Sequence, residues 1–356
     1  MLFMAKVCSV GMNNFPIHIT HSFILFTISH FYTKGKPYKH LQRRLFCDKL
    51  LLGDVKMKQR MQGTLALLLG TFIWGMAFIA QSVGMDLVGP FTFQAIRCLL
   101  GVIFLFLVSL LFDWKIGIKE SLKKWASPVL WKSGAICGVA LFFATSLQQV
   151  GLVYTTPGKA GFLTAMYIVL VPILGIFVHR KPGINALFSV VLALAGLYLL
   201  SFTDISKVNV GDLFMIGCAL AFAVQILLID RLAQSLDGLR LNCVQALVVS
   251  ILSVPGILLN RETVELQAIM DCWLPLCFAG VLSMGVGYSL QIVGQKRLEP
   301  TTASLIMSLE SVFSALGGWL LLHNVMTTAE LTGCALVFAG VIVSQLPMRK
   351  LVPAKK

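Results

Sequence analysis

The chain predicts an all-α integral membrane fold: ten transmembrane helices as two inverted five-helix repeats, with N- and C-termini cytoplasmic. Three observations lead there. The composition is too apolar for water, ten apolar runs have membrane-crossing length, and a sequence repeat has a unit holding five of those runs.

Of 356 residues, 57% are hydrophobic and only 12% charged, and the mean hydropathy is +0.86. A soluble domain carries about 25% charged residues. Halving that removes the polar coat that water requires, and leaves lipid as the solvent. The 24 Phe, six Trp and six Tyr suit the bilayer and its interfaces. The net charge of +14 does not indicate nucleic acid, because the basic residues sit in short loops between apolar runs. The nine cysteines have no metal-ligand spacing and read as packing residues. No metal or other cofactor is expected.

Residues 1–56 differ from the rest. They hold four of the six histidines and a basic stretch from Lys34 to Lys49. Their apolar part is too short and too interrupted for a span of about 20 residues, so this segment reads as a poorly ordered or spurious extension. The first repeat then covers 57–202, the second 203–347, and a basic tail 348–356.

The ten runs are Gly63–Val83, Phe91–Phe112, Gly134–Tyr154, Pro157–Val178, Gly183–Phe202, Gly211–Ile229, Leu241–Leu259, Trp273–Val293, Thr301–Leu322 and Thr332–Leu346, here helices 1 to 10. At 1.5 Å per residue each comes near the ~30 Å of hydrocarbon. Lipid bonds no backbone groups, so each must be helical. The connections alternate in charge. One side holds 18 Lys and Arg, including Lys58, Lys119, Lys132, Arg240 and Lys296; the other holds only Lys159, Lys207 and Arg261. The positive-inside bias puts both termini in the cytoplasm.

The repeat is direct. Ser146-Leu147-Gln148-Gln149-Val150-Gly151 is echoed by Ser289-Leu290-Gln291-Ile292-Val293-Gly294, and Pro157 and Ala160 by Pro300 and Ala303. Seven of the 16 positions from Ser146 match at one offset. Gly63 aligns with Gly211, Trp74 with Phe222, and Ala195-Gly196 with Ala339-Gly340. Five helices per unit is odd, so the second copy enters the membrane from the opposite side. Inverted repeats can open to either face around a midplane site, the mechanical basis of alternating access.

Several motifs recur in order: Trp74-Gly75-x-x-Phe78, Arg97, Pro157-x-x-Ala160, Pro300-x-x-Ala303 and Glu310-Ser311-Val312-Phe313. With these, the chain resembles the EamA-type transporters of the drug/metabolite transporter superfamily over about Gly63 to Leu346. The resemblance implies ten helices, cytoplasmic termini, a cavity lined largely by helices 3, 4, 8 and 9, and export of a small organic metabolite, such as an amino acid, a nucleotide-related compound or a drug, across the plasma membrane of a bacterium. Many members have Pro after the helix-9 Glu and end that helix with Gly-Glu; this chain has Ser311 and His323-Asn324.

Only Arg97 and Glu310 place charge well inside the runs. A charge there costs at least ~2.5–3.5 kcal/mol and must face the bundle interior. Glu310 lies roughly 12 Å into helix 9 and Arg97 roughly 9 Å into helix 2, leaving an axial gap of about 9 Å across the core. Glu310 is a candidate for binding a cationic group or a coupling proton. Arg97 is a candidate for the site or for pinning helix 2. Gln148 and its repeat mate Gln291, Tyr167 and its mate Glu310, and Tyr288 one turn before Gln291 suit a symmetric cavity or interhelical hydrogen bonds. Gln94, Gln245 and Trp74 complete the candidate set. Pro172 and Pro255 predict kinks in helices 4 and 7, the first with no counterpart in helix 9.

The expected partners are a small-molecule substrate and the lipid bilayer, with proton coupling and a homodimer as further candidates. No P-loop appears, nor HExxH or GxSxG. An intramembrane enzyme is therefore disfavoured, and a channel or scaffold is the alternative to a carrier.

Overall fold

The computed structural model describes residues 38–114, 117–155, 157–179, 182–201, 209–321 and 326–346. The chain falls into two units, Met1–Met57 and Lys58–Lys356, and all ten expected spans lie in the second. The first 37 residues, Thr156, the basic residues Lys115, Arg180, Lys181 and Lys207, His323-Asn324 and the basic tail lie outside the described residues.

The described residues are helical, with no strand among them. Helix 1 belongs to Tyr38–Met85, helix 2 is Pro90–Asp113 and helix 3 is Pro128–Tyr154, with a short helix Ile118–Trp125 between the last two. Helix 4 comprises Pro157–Ala165 and Tyr167–Phe177, helix 5 is Ile184–Ser201, helix 6 Val210–Leu232 and helix 7 Gly238–Leu259. Helix 8 runs from Trp273 to Gln295, helix 9 comprises Pro300–Met307 and Leu309–Leu321, and helix 10 is Thr328–Gln345. Among the described residues nine of these have the length and hydropathy to cross a bilayer, and Ile184–Leu200 is a shorter apolar tenth.

Local chemistry sets the ends. Pro90, Pro128, Pro157 and Pro300 open four helices, where a missing N–H costs nothing. Capping boxes start helix 6 (Asn209 with Asp212) and helix 10 (Thr327 with Glu330). The start of helix 2 is capped from afar. The Glu262 carboxylate accepts from the backbone N–H of Phe91 at 3.0 Å and of Thr92 at 2.7 Å.

The bundle is apolar outside and polar inside. Helix 2 exposes Leu99, Ile103, Phe106, Leu107, Leu110 and Leu111, while Gln94, Arg97 and Ser109 of the same helix are buried. Only a lipid solvent tolerates that arrangement.

The two halves are related by contact and by direction. Helix 3 packs on helix 6, and helix 1 on helix 8, its repeat equivalent. At the first crossing Gly151 lies against the carbonyl of Gly211; at the second Gly294 lies against that of Gly63, the repeat-matched glycines. Helices 2 and 7, 4 and 9, and 5 and 10 each pair with their own repeat mate. They run antiparallel. Phe91 at the start of helix 2 meets Gly256 near the end of helix 7, and Gly196 and Gly340 each sit on the other helix of the 5–10 pair. Repeat mates that touch head to tail are the inversion expected from an odd repeat unit.

The predicted asymmetry between helices 4 and 9 does not occur: both are interrupted, at Met166 and at Ser308. In helix 9, Ser304 Oγ donates to the Thr301 carbonyl at 2.9 Å and Ser308 Oγ to that of Leu305 at 2.8 Å. Such back-bonding loosens the backbone ladder without proline. In helix 4, Pro172 lies inside the second half and withholds a donor from the turn upstream. Helix 7 continues unbroken through Pro255. Helix 8 contains a ten-residue π-helical stretch, Phe278–Gly287, which nothing in the hydropathy pattern announced.

Candidate functional site

The breaks in helices 4 and 9 place Tyr167 and Glu310 at the start of their second half-helices, and the two meet. The Tyr167 hydroxyl donates to Glu310 Oε1 at 3.0 Å. They are repeat mates on paired helices, so this contact lies where the two halves cross. Glu310 stands in the first turn of Leu309–Leu321, where the helix dipole favours a carboxylate.

A cavity opens beside this bond. Its lining includes Trp74, Gln81, Arg97, Gln148, Tyr288 and Gln291 besides Tyr167 and Glu310, with Ser283 from the π-helical stretch. Phe78, Phe222, Ile226 and Met307 add apolar wall. The cavity volume is about 30 Å³, room for a water or two at roughly 10–15 Å³ each. Ligand pockets run to roughly 300–1,000 Å³, well above this volume. Gly287 has no side chain where the Trp74 indole lies, and Trp74 rests on Tyr288 with ring centroids 4.9 Å apart.

The two intramembrane charges share this cavity without pairing. Arg97 donates through Nη1 to Gln81 Oε1 at 2.8 Å, and Gln81 is itself held by its Nε2 donating to the Ala77 carbonyl at 3.0 Å. Arg97 Nε and Nη2, Trp74 Nε1 and Gln291 Oε1 have no partner. Two other sets of buried charges are paired. Lys159 Nζ meets Asp212 Oδ2 at 2.7 Å, tying helix 4 to helix 6, and Arg240 bridges Asp113 and Asp237.

Seven of the nine residues singled out from sequence line the cavity: Trp74, Arg97, Gln148, Tyr167, Tyr288, Gln291 and Glu310. Two do not. Gln94 donates to Ser146 Oγ at 2.8 Å and Ser253 Oγ at 3.1 Å, and Gln245 donates to Asn242 Oδ1 at 3.0 Å. Both are struts between or along helices 2, 3 and 7. Sequence reading missed Gln81 and Ser283. Gln81 had a usable signal, lying seven residues after Trp74 and so on the same helix face. Ser283 had none, because the π-helical stretch resets the register. The Lys159–Asp212 pair was also missed, since the partners are 53 residues apart. Of the cysteines, Cys98, Cys137, Cys218, Cys243, Cys272 and Cys334 are buried and free, and no metal-binding cluster occurs among the described residues.

Ten apolar helices in two inverted halves, with a polar cavity where broken helices cross, define a multi-pass membrane transporter rather than an enzyme. The comparisons agree. The EamA-like transporter family matches residues 61–202 and again 209–345, and the chain belongs to that family. A transporter of Archaeoglobus fulgidus is 29% identical over 83% of this chain and 89% of its own length. The threonine/homoserine exporter RhtA of Escherichia coli (strain K12) is 27% identical over 78% of this chain and 89% of its own. A crystal structure at 18% identity superposes with a TM-score of 0.66, covering 80% of this chain and 96% of that one, which shows the shared fold.

Proposed function

We propose that this transporter exports a small organic metabolite across the plasma membrane by alternating access, with both termini in the cytoplasm, and that Glu310 carries the coupling proton or receives a cationic group of the cargo. The observation that carries this reading is the position of Glu310: in the cavity, hydrogen-bonded to its repeat mate Tyr167, at the break of helix 9. Discontinuous helices at a repeat interface are where secondary transporters bind substrate and coupling ions. The volume of about 30 Å³ fits a contracted intermediate, which widens toward one face as the halves rock apart. An amino acid is the first cargo to try, because a relative is named a threonine/homoserine exporter. Gln148, Gln291, Tyr288 and Trp74 line the path; Gln94 and Gln245 brace helices 2 and 7.

Counterflow in proteoliposomes tests the reading. Labelled cargo should exchange against unlabelled cargo without a bulk gradient. Glu310→Gln should lower pH-driven flux more than it lowers the monodisperse yield on gel filtration. Equal loss of both assigns Glu310 to the scaffold, and a steady leak conductance in place of exchange identifies a channel.

A further inference from the structure

We propose that the Nε–Nη2 edge of Arg97 is the subsite for a carboxylate on the cargo, with Gln81 as the residue that positions it; this rests on the transporter reading above. Arg97 is 2% exposed, lies on the cavity wall, and spends only Nη1 on the protein, in its bond to Gln81 Oε1. Nε and Nη2 have no partner. These two atoms form one edge of the planar guanidinium, the geometry that takes both oxygens of a carboxylate in parallel bonds.

Arginines with structural roles in this chain look different. Arg60 spends Nε on Gln345 Oε1 and Nη2 on the Ser344 carbonyl. Arg240 is neutralised by Asp113 and Asp237. Arg97 has neither carbonyls nor a carboxylate, although Glu310 lines the same cavity. Gln81 is fixed at both ends of its amide, by Arg97 and by the Ala77 carbonyl, so it holds Nη1 and leaves the other edge free. Trp74 Nε1 is another unpartnered donor among the lining residues.

The charge balance selects the ligand. Arg97 is the one cation and Glu310 the one anion among the lining residues. A phosphate dianion would meet one guanidinium and a repelling carboxylate. A carboxylate monoanion meets its match, and a zwitterion satisfies both ends at once. The cargo class is therefore a small zwitterion.

The test uses the full chain in proteoliposomes. A panel of labelled amino acids is run in counterflow against the amines left when each loses its carboxyl group. Wild type should exchange amino acids, and the matching amines should compete at least tenfold more weakly. Arg97→Lys keeps the charge but not the fork, and should raise the half-inhibiting concentration of the amino acids at least tenfold. Gln81→Glu gives Arg97 an internal carboxylate. It gives up the bond to the Ala77 carbonyl, so its thermal melt is recorded beside wild type, and the folded variant should lose amino-acid affinity by a similar factor. Should Arg97→Lys fail to fold, Gln81→Glu decides. Amines that compete as well as amino acids, or wild-type amino-acid affinity in Gln81→Glu, overturn the subsite and leave the transporter reading standing. A wild-type protein that exchanges neither amino acids nor amines overturns both.

Discussion

Gly75 follows the cavity residue Trp74 and lies against Phe313 and Ser314, so a single methyl group there tests how tightly helix 1 is seated on helix 9. A Cβ on Gly75 would lie 2.5 Å from Phe313 Cβ, 2.8 Å from the Phe313 carbonyl carbon and 2.8 Å from Ser314 N. Ordinary contact begins at about 3.4 Å, so the backbones must part by roughly 0.6–0.9 Å before the methyl fits, which dense packing resists. Two of the obstructing atoms are main chain and cannot rotate away. Overpacking of this kind costs about 1–3 kcal/mol. Alanine recovers roughly 1 kcal/mol of helix propensity, which offsets part of it. Gly75→Ala should therefore melt below wild type in detergent. It should also slow counterflow, because the displaced segment carries Trp74 and faces the turn after Glu310. Gly217→Ala is the control: its nearest neighbour is Leu147 Cδ1 at 3.4 Å, and it should melt at or above wild type. If Gly75→Ala and Gly217→Ala melt together and exchange cargo at the wild-type rate, the close helix 1–helix 9 seat is wrong.

Other outcomes follow from single contacts. Lys159→Met strands the buried Asp212 carboxylate and should cost about 3–5 kcal/mol; Lys159→Met with Asp212→Asn should recover most of the loss in the same thermal assay. Glu262→Ala removes the remote cap of helix 2 and should cost about 1–2 kcal/mol, with faster amide exchange confined to the first turn after Pro90. Asn242 Nδ2 donates to the Met284 carbonyl at 2.8 Å and the Gly285 carbonyl at 3.1 Å. Asn242→Leu should thus speed amide exchange across Phe278–Gly287 and lower the melting temperature, whereas unchanged exchange would mean that the π-helical stretch stands without it. For topology, a membrane-impermeant maleimide should reach Glu120→Cys only from the cytoplasmic face and Glu265→Cys only from the opposite face. Labelling of both from one side contradicts the positive-inside assignment.

The tie between motif and fold is plainest at Gly75, Gly151 and Gly294. In sequence they were only repeat-matched or motif residues; in the fold they are the places where one helix backbone touches another. Glu310 and Arg97 were legible because charge in an apolar run has to face inward, and both do. Gln94 and Gln245 share their residue type with the repeat mates Gln148 and Gln291, yet the first pair braces helices while the second faces the cavity. Pro172 drew attention to helix 4, but serine hydroxyls broke helix 9 just as well.

The number of apolar spans and the opposed orientation of the halves were settled by the sequence alone, whereas helix 1 runs on as Tyr38–Met85 and helices 4 and 9 are each broken in two. In hydrocarbon each run must satisfy its own backbone, so span number and orientation depend only on local composition and on counting spans. Which side chains reach the cavity was decided by the tertiary structure. That depends on the rotation of each helix about its axis, on the breaks at Met166 and Ser308 and on the π-helical reset in helix 8, and these are fixed by neighbours far away in the chain.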